Sequence, residues 1–126
     1  MKSHSEILKE IEEQLKTLFE NSPDGIYLWL DDEHMICNEK LAKIFGYFVK
    51  ELCMETPFLE KLVAEDYREL FSLNYHLHVA QLSSPVSFKF KGIKKDGKEF
   101  SAETDMIPFC WKSHVIAFHF VREIKE

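Results

Sequence analysis

Asn21-Ser22-Pro23-Asp24-Gly25-Ile26, running on through Phe45-Gly46-Tyr47, decides how this chain is read, together with Lys95-Asp96-Gly97-Lys98 further along. Pro23 forbids continuation of any helix that precedes it, and Gly25 admits backbone angles other residues avoid. Ile26-Tyr27-Leu28-Trp29-Leu30 is apolar throughout, the pattern of a strand covered on both faces. Asp31-Asp32-Glu33-His34 reads as a turn and Met35-Ile36-Cys37 as the return strand. Asn38 then suits the cap of a helix over 39–45, whose Leu41, Ala42, Ile44 and Phe45 give a buried stripe and which Gly46 ends. Asp96-Gly97 is a hairpin turn between two alternating strands.

Working outward, residues 3–20 read as one amphipathic helix. Ser3-His4-Ser5-Glu6 has the S-x-x-E form of a capping box. Leu8, Ile11, Leu15 and Leu18 recur at steps of three and four, a heptad seam suited to dimerisation. Two heptads are too short for an independent coiled coil, so the seam needs either its own domain or a partner. Residues 47–63 read as short helical turns broken at Thr56-Pro57, and a longer helix runs from about Ala64 to Leu82, ended by Ser83-Ser84-Pro85. Val86, Phe88 and Phe90 alternate with Ser87, Lys89 and Lys91; strands over 100–109 and 115–121 follow. The expected fold is α+β: a five-stranded antiparallel sheet with helices packed on one face, plus an N-terminal flanking helix. Residues 1–20 form the flanking dimerisation and signal helix, and 21–126 the domain proper.

This order of motifs resembles the PAS (sensory-box) family over about residues 17–124. Ser22-Pro23-Asp24-Gly25-Ile26 is similar to the approach to that family's first strand, and Ile36-Cys37-Asn38 to its second strand and capping Asn. Phe45-Gly46-Tyr47 with Lys50-Glu51-Leu52 resembles its Gly-Tyr turn and next helix. Glu65-Asp66-Tyr67-Arg68 resembles the start of its long helix, and Lys94-Lys95-Asp96-Gly97 its Asp-Gly hairpin. Val121-Arg122-Glu123-Ile124-Lys125-Glu126 resembles the exit motif, with Glu123 and Lys125 where Asp and Thr are usual. Cys53-Met54 stands where a Gly often follows the Glu-Leu pair.

Composition narrows the function. Forty-five per cent hydrophobic residues, with 11 Phe in 126, supply a core, and a net charge of −6 without a basic stripe disfavours nucleic acid. No stretch has the length of an apolar membrane span and no signal-peptide core opens the chain, so cytoplasmic exposure is the expectation. Cys37, Cys53 and Cys110 lack metal-site spacing and read as buried reduced thiols, a redox role being the alternative. The four glycines form no nucleotide loop. Glu103 and Asp105 share one strand face, expected to be a solvated edge rather than an acid–base pair.

The resemblance implies a sensor rather than an enzyme. It implies an input module of a larger signalling protein, such as a histidine kinase or cyclic-nucleotide regulator, binding a small ligand in a cavity and relaying the change through flanking helices. Leu28, Leu41, Leu70, Phe71, Asn74, His78, Phe88, Phe90, Met106 and Phe118 are the cavity candidates. A homodimer, an output domain in cis and a small-molecule ligand are the expected partners. Two other readings stand beside it: a ligand-free interaction or dimerisation module, and a small isomerase-type enzyme that needs a carboxylate inside the pocket. Some relatives hold haem through a His on the long helix. At about 100° per residue, His76 shares a solvated stripe with Glu69 and Ser72, whereas His78 is expected to point into the apolar face. A core histidine bonded to a neighbour such as Asn74 is the default there, and an axial haem ligand the alternative. Flavin chemistry is disfavoured, because the family's flavin-reactive Cys would fall at Thr56-Pro57. The sequence itself requires no cofactor.

Overall fold

A computed structural model describes residues 3–31, 34–55, 58–79 and 84–125, with side chains throughout except at 53–55, 58 and 59. The elements in order are α1 (His4–Gln14), α2 (Lys16–Asn21), β1 (Gly25–Asp31), β2 (His34–Cys37), α3 (Glu39–Phe45), α4 (Val49–Glu55), α5 (Phe58–Leu62), α6 (Glu65–Asn74), a π-helical turn (Tyr75–Val79), β3 (Val86–Ile93), β4 (Glu99–Trp111) and β5 (His114–Glu123). The strands form one five-stranded antiparallel sheet, as expected, and its order is β2-β1-β5-β4-β3. Cys53, Thr56-Pro57 and the expected helix end at Leu82-Ser83 lie outside the described residues or side chains.

Local chemistry sets most of these boundaries. Ser3 caps α1 by accepting from the Glu6 amide, and Gly46 ends α3 at φ 81°, a left-handed conformation that costs glycine little. Gly25 sits so close beneath α3 that a β-carbon there would stand 2.8 Å from the Leu41 Cα. The β4–β5 hairpin lacks such accommodation. Its two-residue turn puts Lys112 at φ 46° and Ser113 at φ 71°, where β-carbons are strained. Ser113→Gly is therefore expected to raise stability by about 1 kcal/mol, read as a higher midpoint in thermal denaturation.

Two apolar cores flank the sheet. One lies beneath α3–α6 and contains Tyr27, Leu41, Phe45, Leu62, Phe71, Phe90, Met106 and Val121. The other lies beneath α1 and joins Ile7, Leu8 and Ile11 to Ile26, Leu28, Leu30, Ile116 and Phe118. The N-terminal helix thus covers the second sheet face of its own domain, and β1 is buried on both sides as its apolar run demands. The flanking segment is two helices rather than one, because the chain departs from helical angles at Leu15 (φ −103°, ψ 15°). Of the seam, Leu8 and Ile11 are buried in this intramolecular core, Leu15 packs at its margin, and Leu18 is 40% exposed. Among the described residues no helix is long and apolar enough to cross a membrane.

Candidate functional site

The side of the sheet beneath α3–α6 packs a core of rings around one imidazole, and this ring-walled part of the core is the candidate chamber. Phe71 projects from α6, with ring centroids 4.9 Å from both Phe88 and Phe90 of β3. Opposite them stands His119 of β5, 6.2 Å from Phe71 and 5.3 Å from Tyr27 of β1. Strand register places His119 between Tyr27 and Met106, at the middle of the sheet. Trp29 closes the β1 end by meeting Tyr75 edge-on at 5.1 Å. Burial pushes the Tyr75 phenol above its usual range.

His119 is the polar centre of this chamber. It is 4% exposed and donates from Nδ1 to the Tyr27 carbonyl at 3.2 Å. Loss of hydration disfavours the imidazolium and lowers its pKa to about 4, against the opposing pull of hydrogen bonds that the ring donates to the Tyr27 and Ala117 backbone. The ring is consequently neutral near pH 7, a state that carries one donor and one acceptor nitrogen. Thr104, wholly buried on β4, is a second polar residue in this layer.

The candidates from sequence divide between several places. Phe71, Phe88, Phe90 and Met106 meet in the chamber, and Leu41 belongs to the same core beneath α3. Leu28 and Phe118 instead lie on the α1 side, where Phe118 stacks on Phe120 at 5.1 Å. Tyr27 and His119 are their neighbours on the chamber side. Leu70 and Asn74 are half-buried, and Asn74 donates to the Leu70 carbonyl at 2.9 Å.

The expectation that His78 points into the apolar face is corrected. It is half-buried, with Nδ1 3.4 Å from the hydroxyl of exposed Ser84. The cause is the π-helical turn at Tyr75–Val79, whose i→i+5 bonds insert an extra residue per turn and shift the buried position to Val79, which is 0% exposed. His76 is exposed, as its stripe predicts. Of the cysteines, Cys37 is buried as expected, whereas the expectation for Cys110 is corrected: it is exposed near the tip of the β4–β5 hairpin.

Glu103 and Asp105 lie on the α1 side of the sheet, away from the chamber. Arg122 reaches both, at 3.6 Å and 2.5 Å, and Ser87 donates to Asp105 at 2.6 Å. They are an ion-paired cross-strand cluster, with no route to a substrate in the chamber. At the exit, the Ile124 amide bonds the Ser101 carbonyl at 2.9 Å and Glu123 pairs with Lys94 at 3.2 Å, so Glu123 makes an anchor of its own.

Asn38 links the flanking helices to this frame. Its Oδ1 accepts from the Ile26 amide at 2.8 Å and from the Leu41 amide at 2.9 Å. Its Nδ2 donates to the Phe19 carbonyl at 3.1 Å and the Asp24 carbonyl at 3.3 Å. One buried amide therefore joins α2, the turn before β1, β1 itself and the start of α3.

Solved structures with this arrangement are PAS domains. The chain is similar to the PAS domain of an HTR-like protein from Haloarcula marismortui, at 22% identity and TM-score 0.69, covering 93% of this chain and 94% of that one. It is similar to a PAS domain from a two-component sensor histidine kinase, at 16% identity and TM-score 0.65, covering 92% and 99%. A third is the PAS domain, in complex with ethanol, of a LuxR-family transcriptional regulator from Burkholderia thailandensis, at 18% identity and TM-score 0.67, covering 86% and 96%. No curated protein matches the chain. The family model for the PAS fold matches residues 13–124, and the chain belongs to the PAS family.

Proposed function

We propose that this domain is a signal-input module that receives a small molecule in the ring-lined chamber around His119. The observation that carries the reading is the neutral, buried imidazole at the centre of the sheet. Small-ligand sites are apolar enclosures with one or two fixed polar groups, and His119 with Thr104 supplies that chemistry amid Tyr27, Phe71, Phe90 and Met106. PAS domains generally sense rather than catalyse, and the carboxylate pair Glu103 and Asp105 on β4 faces away from the chamber. The ethanol held by the Burkholderia domain is consistent with a small polar guest in this fold. A guest that favours one packing of Phe71 and Tyr75 over another would shift α6 against β5, by no more than its differential affinity for the two packings. The change would pass through Asn38 to α2 and through the β5 exit to an output domain in cis, a kinase or cyclase-type unit in the cytoplasm. A thermal-shift panel of short-chain alcohols, carboxylic acids and purines tests this. The reading expects at least one class to raise the melting temperature of the wild type and not of His119→Leu; a flat response across the panel contradicts it.

A homodimer through the flanking segment completes the relay. Leu18 is the seam residue that its own domain leaves exposed, so Leu18→Glu is expected to halve the mass seen by light scattering while leaving the melting temperature unchanged. Ile11→Glu, placed in the intramolecular core, would unfold the domain instead. A dimer that survives Leu18→Glu removes this interface.

A further inference from the structure

Elements remote in sequence bring three imidazoles and a carboxylate to one corner of the sheet. His4 lies in the first turn of α1, Asp31 ends β1, His34 begins β2 and His114 begins β5. His4 Nδ1 is 2.5 Å from Asp31 Oδ2, and His34 Nδ1 is 2.7 Å from Asp31 Oδ1. One ligating atom from each of these three residues lies within 4.8 Å of the others. The His4 ring meets His34 edge-on at 5.5 Å and His114 at 5.1 Å. Their side chains keep 41% (His4), 35% (Asp31) and 29% (His34) of their surface, so an ion can reach them from solvent.

We propose that His4, Asp31 and His34, with His114 beside them, bind a divalent transition ion of the zinc class. Imidazole nitrogen with one carboxylate oxygen is a donor set for zinc and its neighbours, whereas calcium and magnesium take oxygen shells. Zinc–ligand bonds of about 2.1 Å set the donors of a tetrahedral ion about 3.4 Å apart. Small side-chain rotations convert the present hydrogen-bonded group into that shell. The hydrogen-bonded form needs a proton on each Nδ1 facing Asp31; on metal binding each neutral ring takes the tautomer with its proton on Nε2, an imidazolium also releasing one proton to solvent, and Nδ1 and the carboxylate then bind the ion. His114 or water fills the fourth position. The ion then staples the start of α1 to the β1–β2 hairpin. Because Ile7, Leu8 and Ile11 of α1 close the second core, metal occupancy sets how firmly that helix docks.

Calorimetric titration of zinc chloride into the chelator-treated full chain, under a non-thiol reductant, tests the site. One ion per chain is expected, with roughly tenfold or greater weakening in each of His34→Ala and Asp31→Asn and no change in Cys110→Ser. Cobalt absorption on the unmutated protein is a readout independent of any variant's folding: visible d–d bands without a thiolate charge-transfer band are expected. Absence of binding, binding undiminished in both His34→Ala and Asp31→Asn, or a thiolate band would overturn the proposal.

Discussion

Asn38→Ala is expected to destabilise the domain by about 4 kcal/mol, from the loss of a helix cap and the stranding of buried backbone groups. The side chain is 4% exposed, so water cannot replace what it provides. Truncation leaves the amides of Ile26 and Leu41 and the carbonyls of Phe19 and Asp24 without this partner. Buried donors in that state cost about 1–3 kcal/mol each, and partial relaxation keeps the total below a simple sum. Against a typical domain stability of about 5–15 kcal/mol, this is a large fraction. Urea denaturation measures it directly. Asn38→Ser, which keeps a capping hydroxyl for α3 but cannot reach the other groups, is expected to fall between alanine and wild type. A loss below about 1 kcal/mol in Asn38→Ala would mean that the four-way junction carries little of the fold.

Acidification is expected to weaken the fold through His119. Its folded pKa is about 4, against an ordinary value of 6.5. Between those values the unfolded chain binds the proton and the native chamber does not, so stability rises with pH across the window. Full stability is present above about pH 6.5 and is lost progressively towards pH 4, by about 3 kcal/mol for a shift of this size. Glu51, held below its ordinary 4.5 chiefly by a hydrogen bond from Lys95, acts in the same direction but only at pH values below that ordinary value. Denaturation curves at pH 7 and pH 5 therefore isolate the imidazole. His119→Leu is expected to remove most of the difference between them. An unchanged pH dependence in that variant would show that His119 is not the titrating group.

Legibility followed the range over which each feature is determined. Asn38 as a cap, Gly46 as a helix end and Asp96-Gly97 as a hairpin turn rest on one or two residues' backbone chemistry, and the structure has all three. The sheet followed from period-two patterns that local sequence carries. The chamber's centre was hidden because β5 is covered on both faces. Phe118 and Phe120 pack under α1 while Ala117, His119 and Val121 pack under the other helices, so hydrophobicity alone could not say which set faces the chamber. A signal was available: His119 within the otherwise apolar run of residues 115–121 is a buried polar group that needs a partner. The misplacement of His78 has a different cause. A wheel at constant pitch cannot anticipate a π-helical turn, whose wider bonds depend on packing against β4 and β5. His4, Asp31, His34 and His114 converge only after the sheet has formed, and no spacing in the sequence marks them.

Native mass spectrometry of freshly purified wild-type and His119→Leu protein tests most directly whether the chamber around His119 receives a small molecule. A small-molecule adduct on the wild type, absent from a folded His119→Leu variant, is the expected result. Bare polypeptide mass in both, persisting after incubation with the alcohol, acid and purine panel, would contradict it.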